Sequence, residues 1–229
     1  AGAFALIIFL STGIRFTVGP FLKPVAAELG VDRGTFSLVV SLSLFLYGAF
    51  MPMVGRLVDR FGSRVVCSAG GVLVAVSLAL TGTMTAYWEF VLYYGVLVAL
   101  GLSATGHVVA SATLSRWFIR RRGTAVSVLS AASMAGLSFL VPIAMWCILT
   151  FGWRASYVIL GVGSLLITLP LSLWILRDDP SDVGLHPDGV APEPLAEGMA
   201  PALERTTVAA ALQVPAFWQL AGGLFNCGF

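Results

Sequence analysis

The sequence predicts an all-α integral membrane protein: one bundle of six spanning helices, then a linker and the start of a seventh helix. Three observations carry that reading. The 229 residues are 58% hydrophobic and only 10% charged, with a mean hydropathy of +0.94, whereas a soluble domain carries about a quarter of its residues charged. The apolar residues fall in runs of the length a helix needs to cross a bilayer, about 20 residues. The basic residues cluster in alternate connections, the pattern that orients spans in a membrane.

Taken in order, the spans run roughly over residues 3–21, 36–54, 65–84, 87–114, 124–149 and 155–176, and a seventh begins near Pro215. The runs are too long for barrel strands and lack the period-2 alternation that such strands show over about ten residues. One set of connections and ends holds Arg56, Arg60, Arg64, Arg116, Arg120, Arg121, Arg122 and Arg177, and the opposite set holds Lys23, Arg33 and Arg154. The richer set is therefore expected on the cytoplasmic side. Small residues that let helices approach in lipid occur at Gly48 and Gly55, Gly95 with Ala99, Gly101 with Thr105, Gly106 with Ala110, and Ala132 with Gly136. Pro52 and Pro142 are expected to kink their helices.

Beyond the sixth span the character changes. Asp178, Asp179, Asp182, Asp188, Glu193, Glu197 and Glu204 gather among prolines, which predicts an irregular cytoplasmic linker over 177–213. Residues 214–229 then open a further span. The chain begins without Met and stops inside an apolar run at Asn226–Phe229, so it is expected to be a fragment open at both ends. Cys67, Cys147 and Cys227 lie in apolar runs with no CxxC, and read as packing residues. The net charge of +2 and the lack of a basic run interleaved with aromatics argue against a nucleic-acid partner.

Between the second and third spans stands Gly55-Arg56-Leu57-Val58-Asp59-Arg60-Phe61-Gly62-Ser63-Arg64, read as a tight charged loop. It resembles the signature of the major facilitator superfamily, in which Gly55, Asp59, Arg60, Gly62 and Arg64 each fill their place. Ser115-Arg116-Trp117-Phe118 through Gly123, Gly152-Trp153-Arg154, and Asp179 through Gly189 extend the resemblance to the monocarboxylate and oxalate/formate-antiporter-like branch. The resemblance implies a twelve-helix transporter working by alternating access, of which this chain is the amino-terminal half. It also implies that Asp59, Arg60 and Arg64, with Arg116, latch the two halves on the cytoplasmic side. Gly55 and Gly62 would permit a short connection and close helix approach. The plainer reading of these arginines is that they set topology and touch lipid headgroups.

Arg15 lies well inside the first span, with Ser11 and Gly19 on the same face at i, i+4 spacing. A charge at that depth costs about 2.5–3.5 kcal/mol on insertion scales, so it needs a partner or a wet cavity. Either it pairs with a carboxylate outside these spans or snorkels to the surface, or its planar fork binds an anion such as a carboxylate. His107, with Ser103 and Ser111 at helical spacing, is either a neutral packing histidine or a residue that contacts substrate or carries a proton. The resemblance places the central cavity between the first and fourth helices, where Arg15 and His107 both fall.

Two departures from the superfamily bear on substrate. Drug/proton antiporters carry an arginine where Leu97 stands, and their fifth-helix motif is not reproduced by Ser133 through Pro142. The monocarboxylate family's lysine low in the first helix is replaced near Pro20, with Arg15 about a turn away. No catalytic triad, nucleotide loop, cofactor motif or metal-ligand spacing appears. The sequence thus reads as a transporter of a small organic anion, a carboxylate, coupled to protons or to anion exchange in the plasma or inner membrane. Efflux of a neutral or cationic compound, and a sensor derived from a transporter that no longer cycles, are the alternatives.

Overall fold

The computed structural model describes residues 2–118 and 122–176, with Gln219 alone beyond them. By its internal contacts the chain divides into Ala1–Ala191 and Pro192–Phe229. The predicted linker and seventh span lie outside the described residues.

Five helical stretches are long and apolar enough to cross a membrane: Gly2–Leu29, Arg33–Phe61, Ser63–Thr83, Tyr87–Ser115 and Gly123–Ile175. The first consists of α1 (Gly2–Phe16) and α2 (Val18–Leu29), joined through Thr17, whose hydroxyl donates to the Ile14 carbonyl at 2.7 Å. It ends where Gly30 takes φ 63°, the left-handed turn that glycine accepts without a Cβ clash. Asp32 then caps α3 (Arg33–Phe61), accepting from the Gly34 and Thr35 amides at 3.1 and 3.3 Å. These bonds, with the Thr35 hydroxyl first among them, hold its carboxyl below the usual carboxylate range.

The Gly55–Arg64 stretch is not a loop. Helix α3 continues to Phe61, α4 (Ser63–Thr83) starts at Ser63, and Gly62 alone makes the reversal with φ 83° and ψ 159°. That backbone conformation is essentially confined to glycine, which is why one residue can serve where a loop was expected. Nor do Gly48 and Gly55 mediate close approach, since a Cβ on either would meet nothing within 4 Å.

The fourth stretch is interrupted. A turn of helix α5 (Tyr87–Phe90) leads through a π-helical stretch, Val91–Val98, into α6 (Ala99–Ala104); α7 (His107–Trp117) follows after a break at Thr105 and Gly106. Glu89 accepts from the Thr85 and Ala86 amides at 2.6 and 3.2 Å and holds the entry to this stretch. The last stretch, α8 (Arg122–Pro170), passes through a second non-helical glycine: Gly152 has φ 81° and ψ 164°, almost the conformation of Gly62. A short π-helical turn, Leu171–Ile175, closes it. The helical runs continue through Pro52 and Pro142, so the interruptions of this bundle sit elsewhere than those prolines.

Packing follows small residues, as expected in lipid. The arm of α8 before Gly152 lies on α1, where a Cβ on Gly136 would come 2.1 Å from the Phe9 carbonyl oxygen, and one on Gly13 would come 2.8 Å from the Gly136 oxygen. The arm after Gly152 lies on α4: a Cβ on Gly161 would meet the Ala75 oxygen at 2.9 Å, and one on Gly71 the Thr168 methyl at 2.8 Å. Gly70 and Gly101 bring α4 against α6 in the same way.

Two apolar clusters fill the bundle. One, towards Gly62, is largely aliphatic and holds Ile7, Ile8, Val54, Val58, Leu114 and Leu129. The other, towards Gly152, is aromatic: Phe21 stacks on Tyr157 at 3.9 Å between centroids, and Phe36, Phe90 and Tyr94 continue the contacts. Phe45, Leu149, Leu166 and Trp174 point outward and are more than half exposed, as lipid or a further packing partner requires.

Candidate functional site

Arg15 stands near the middle of the 28-residue first stretch. Its guanidinium carbon lies 4.2 Å from the centre of the Tyr47 ring on α3, and its buried Nε has no hydrogen-bond partner. The carboxylates among the described residues are Glu28, Asp32, Asp59 and Glu89, and all four stand at helix ends. None shares the depth of Arg15, so the charge is held by an aromatic face and by the open space beside it.

That space is a cavity of about 210 Å³ lined by Ser11, Thr12 and Arg15 from α1, Tyr47 from α3, Gly106 and His107 at the break, and Ser133 of α8. Ser11 donates to the Thr105 hydroxyl at 2.8 Å. His107 Nε2 lies 2.8 Å from the Ser133 hydroxyl oxygen, and that hydroxyl is also 3.0 Å from the Leu129 carbonyl. With the Ser133 proton directed to Leu129, the ring nitrogen donates and Nδ1 is left as an acceptor. The cavity therefore offers one fixed positive charge, several hydroxyls and an imidazole within a mostly apolar wall. Such a set suits a small anion with an apolar body.

The break in the fourth stretch places His107 on the cavity with Arg15 and Ser11. It also destroys the common face assumed for Ser103 and His107, because Thr105 (φ −105°, ψ 9°) and Gly106 (φ −86°, ψ −174°) turn the chain between them. Ser103 is buried, donates to the Leu100 carbonyl at 2.7 Å and does not line the cavity. A Cβ on Gly19, the third residue on the supposed Arg15 face, would meet nothing within 4 Å, and Gly19 does not line the cavity. Tyr47, Thr12 and Ser133 escaped the sequence reading. The available signal was a tyrosine and two hydroxyls within apolar spans, which is too common a pattern to single them out.

The proposed latch residues lie at one end of the bundle. Asp59 and Arg60 occupy the last turn of α3 and are exposed, the Arg60 guanidinium resting 5.2 Å from the Phe61 ring centre. Arg64 opens α4 and is half-buried. Asp59 thus sits at a helix carboxyl end, which disfavours a carboxylate, while the amino end of α4 begins four residues on, which favours one. The Arg116 side chain lies outside the described part of the structure.

At the other end stands a polar cluster that sequence reading did not assemble. Arg154 Nη2 and Nε donate to Glu28 Oε1 at 2.8 and 3.1 Å, and Nη1 donates to the Gly82 carbonyl at 3.3 Å. The Trp153 indole donates to the other Glu28 oxygen, and the Arg154 guanidinium lies 4.6 Å from the Trp153 ring centre. Three helices are clasped by residues up to 126 positions apart.

The family described as Major Facilitator Superfamily matches residues 4–229. An uncharacterized MFS-type transporter of Bacillus subtilis, YcxA, is 31% identical over 162 residues, 70% of this chain and 39% of that protein. Human monocarboxylate transporter 2 is 30% identical over 173 residues, 74% of this chain and 36% of that protein. A bacterial homologue of the human lysosomal transporter Spinster, solved inward-facing and unoccupied, superimposes with a TM-score of 0.72 at 18% identity, covering 96% of this chain and 50% of that one. The chain thus spans half or less of the length of these relatives.

Proposed function

The chain belongs to the major facilitator superfamily, a family of transporters and not of enzymes, and from that premise we propose that it forms the amino-terminal half of a secondary transporter for a small carboxylate. In this reading α8 is two spans joined at Gly152, which makes six in all. The end bearing Gly62 faces the cytoplasm, since the arginine-rich connections lie there. The halves rock about a midplane site in the plasma or inner membrane, with proton coupling or anion exchange driving flux.

The observation that carries the proposal is Arg15: a guanidinium at mid-span, beside a polar-lined cavity, with an unpartnered Nε and no carboxylate at its depth among the described residues. Lipid does not tolerate such a charge without a counter-charge or water, and a carboxylate substrate supplies the counter-charge in the geometry a guanidinium fork prefers. Monocarboxylate transporters among the relatives favour the same substrate class. His107 and Ser11 complete the site, His107 as a substrate contact or proton carrier.

Uptake of labelled acetate, lactate, pyruvate and oxalate into vesicles bearing the full-length transporter tests this. Arg15→Ala is expected to abolish the flux of whichever acid is carried, and Arg15→Lys to weaken it because the bidentate fork is lost. Carboxylate flux that is unchanged in both variants sinks the proposal. Efflux of a neutral or cationic compound by the same protein would mean that Arg15 is paired to a carboxylate of the other half. Carboxylate binding without flux would mark a sensor.

A further inference from the structure

Tyr47 touches both elements of this cavity that the first and fourth stretches supply. Its ring faces the Arg15 guanidinium at 4.2 Å. Its hydroxyl lies so close to Gly106 that a Cβ there would fall 2.7 Å away. Tyr47 is half-buried on α3 and lines the cavity, and no other aromatic ring faces Arg15 within cation–π range among the described residues. A guanidinium on a four-bond stem has many rotamers, and each one frozen on binding costs affinity. A ring held against one face of the guanidinium removes that freedom beforehand and leaves the edge of the fork open to the ligand.

We propose that Tyr47 is the positioning residue of the anion site: its ring face holds the Arg15 guanidinium in the cavity so that the fork meets a carboxylate edge-on. The inference rests on the carboxylate reading given above. It requires the negative electrostatic face of the ring, and not the hydroxyl. The absence of a Cβ at Gly106 then serves to let the ring settle at that depth.

The test uses the full-length transporter and the best-carried acid among acetate, lactate, pyruvate and oxalate. Position 47 is changed first by Tyr47→Phe, then filled with mono-, di- and trifluorinated phenylalanine by nonsense suppression. These rings keep their shape while fluorine drains the charge from the face. Tyr47→Phe sets the reference KM, expected well below that of the trifluorinated form, and KM should climb with each fluorine to about five- to thirtyfold above that reference, the effect falling on KM and not on Vmax. In an Arg15→Lys background the climb should flatten, because the planar guanidinium that stacks on the ring is gone. A KM that stays flat across the series while flux remains dependent on Arg15 overturns the role of Tyr47 and leaves the carboxylate reading standing. A Tyr47→Phe variant as impaired as the trifluoro form assigns the effect to the hydroxyl and also overturns it. Flux indifferent to Arg15 removes the carboxylate reading, and the inference with it.

Discussion

Gly62 and Gly152 reverse the chain with nearly the same backbone, φ 83° and ψ 159° against φ 81° and ψ 164°, yet the two ends of the bundle that they serve are held in different ways. Around Gly152 the polar groups close on one another: Glu28 accepts from Trp153 and Arg154, and Arg154 reaches on to the Gly82 carbonyl. An aromatic cluster lies beneath them, with Trp153 edge-on to Tyr157 at 6.3 Å. Around Gly62 the cluster beneath is aliphatic, and Asp59 and Arg60 are exposed at the end of α3. At the first end the charged groups are clasped across three helices; at the second, exposed Asp59 and Arg60 stand together on the last turn of α3. A shared local device therefore says little about use; the partners packed around it decide that.

The largest expected effect comes from the glycines themselves. A Cβ in this region of φ/ψ costs roughly 1–3 kcal/mol, so Gly62→Ala and Gly152→Ala should each lower thermal stability of the detergent-solubilised protein by a similar amount. A loss at Gly152 far below that at Gly62 would show that the bend within α8 can relax where the reversal between α3 and α4 cannot. Next comes the function of the exposed end. Asp59→Ala should leave insertion and thermal stability near wild type while slowing transport roughly tenfold, the scale of a modest coupling between conformational states. Wild-type rates in that variant would reduce the Gly62 end to a topology signal. The smallest effect belongs to the clasp. Both partners of the Glu28–Arg154 pair are substantially exposed, at 47% and 39% respectively, so Glu28→Gln should destabilise only slightly and by less at high salt, since exposed pairs are screened. A loss equal to that of the glycine variants would mean that the clasp, and not the aromatic cluster, closes that end.

What the sequence by itself determined about this protein is whatever rests on local chemistry. Length of apolar run and scarcity of charge establish a membrane-spanning helical chain, because each span must satisfy its own backbone in lipid. The spacing of Gly55, Asp59, Arg60, Gly62 and Arg64 identifies the family, and the depth of Arg15 in its span marks the candidate site; both are distances along the chain. The tertiary structure decided the rest. Ser103 lies away from the cavity and His107 lines it because a two-residue break turned the helix between them, and neither Thr105 nor Gly106 announces a break by type. Tyr47 came to lie over Arg15 from 32 positions away, and Arg154 met Glu28 across 126. Such contacts depend on how each helix is rotated about its axis, and that rotation is set by glycines meeting carbonyls on neighbouring helices, a property no single helix contains.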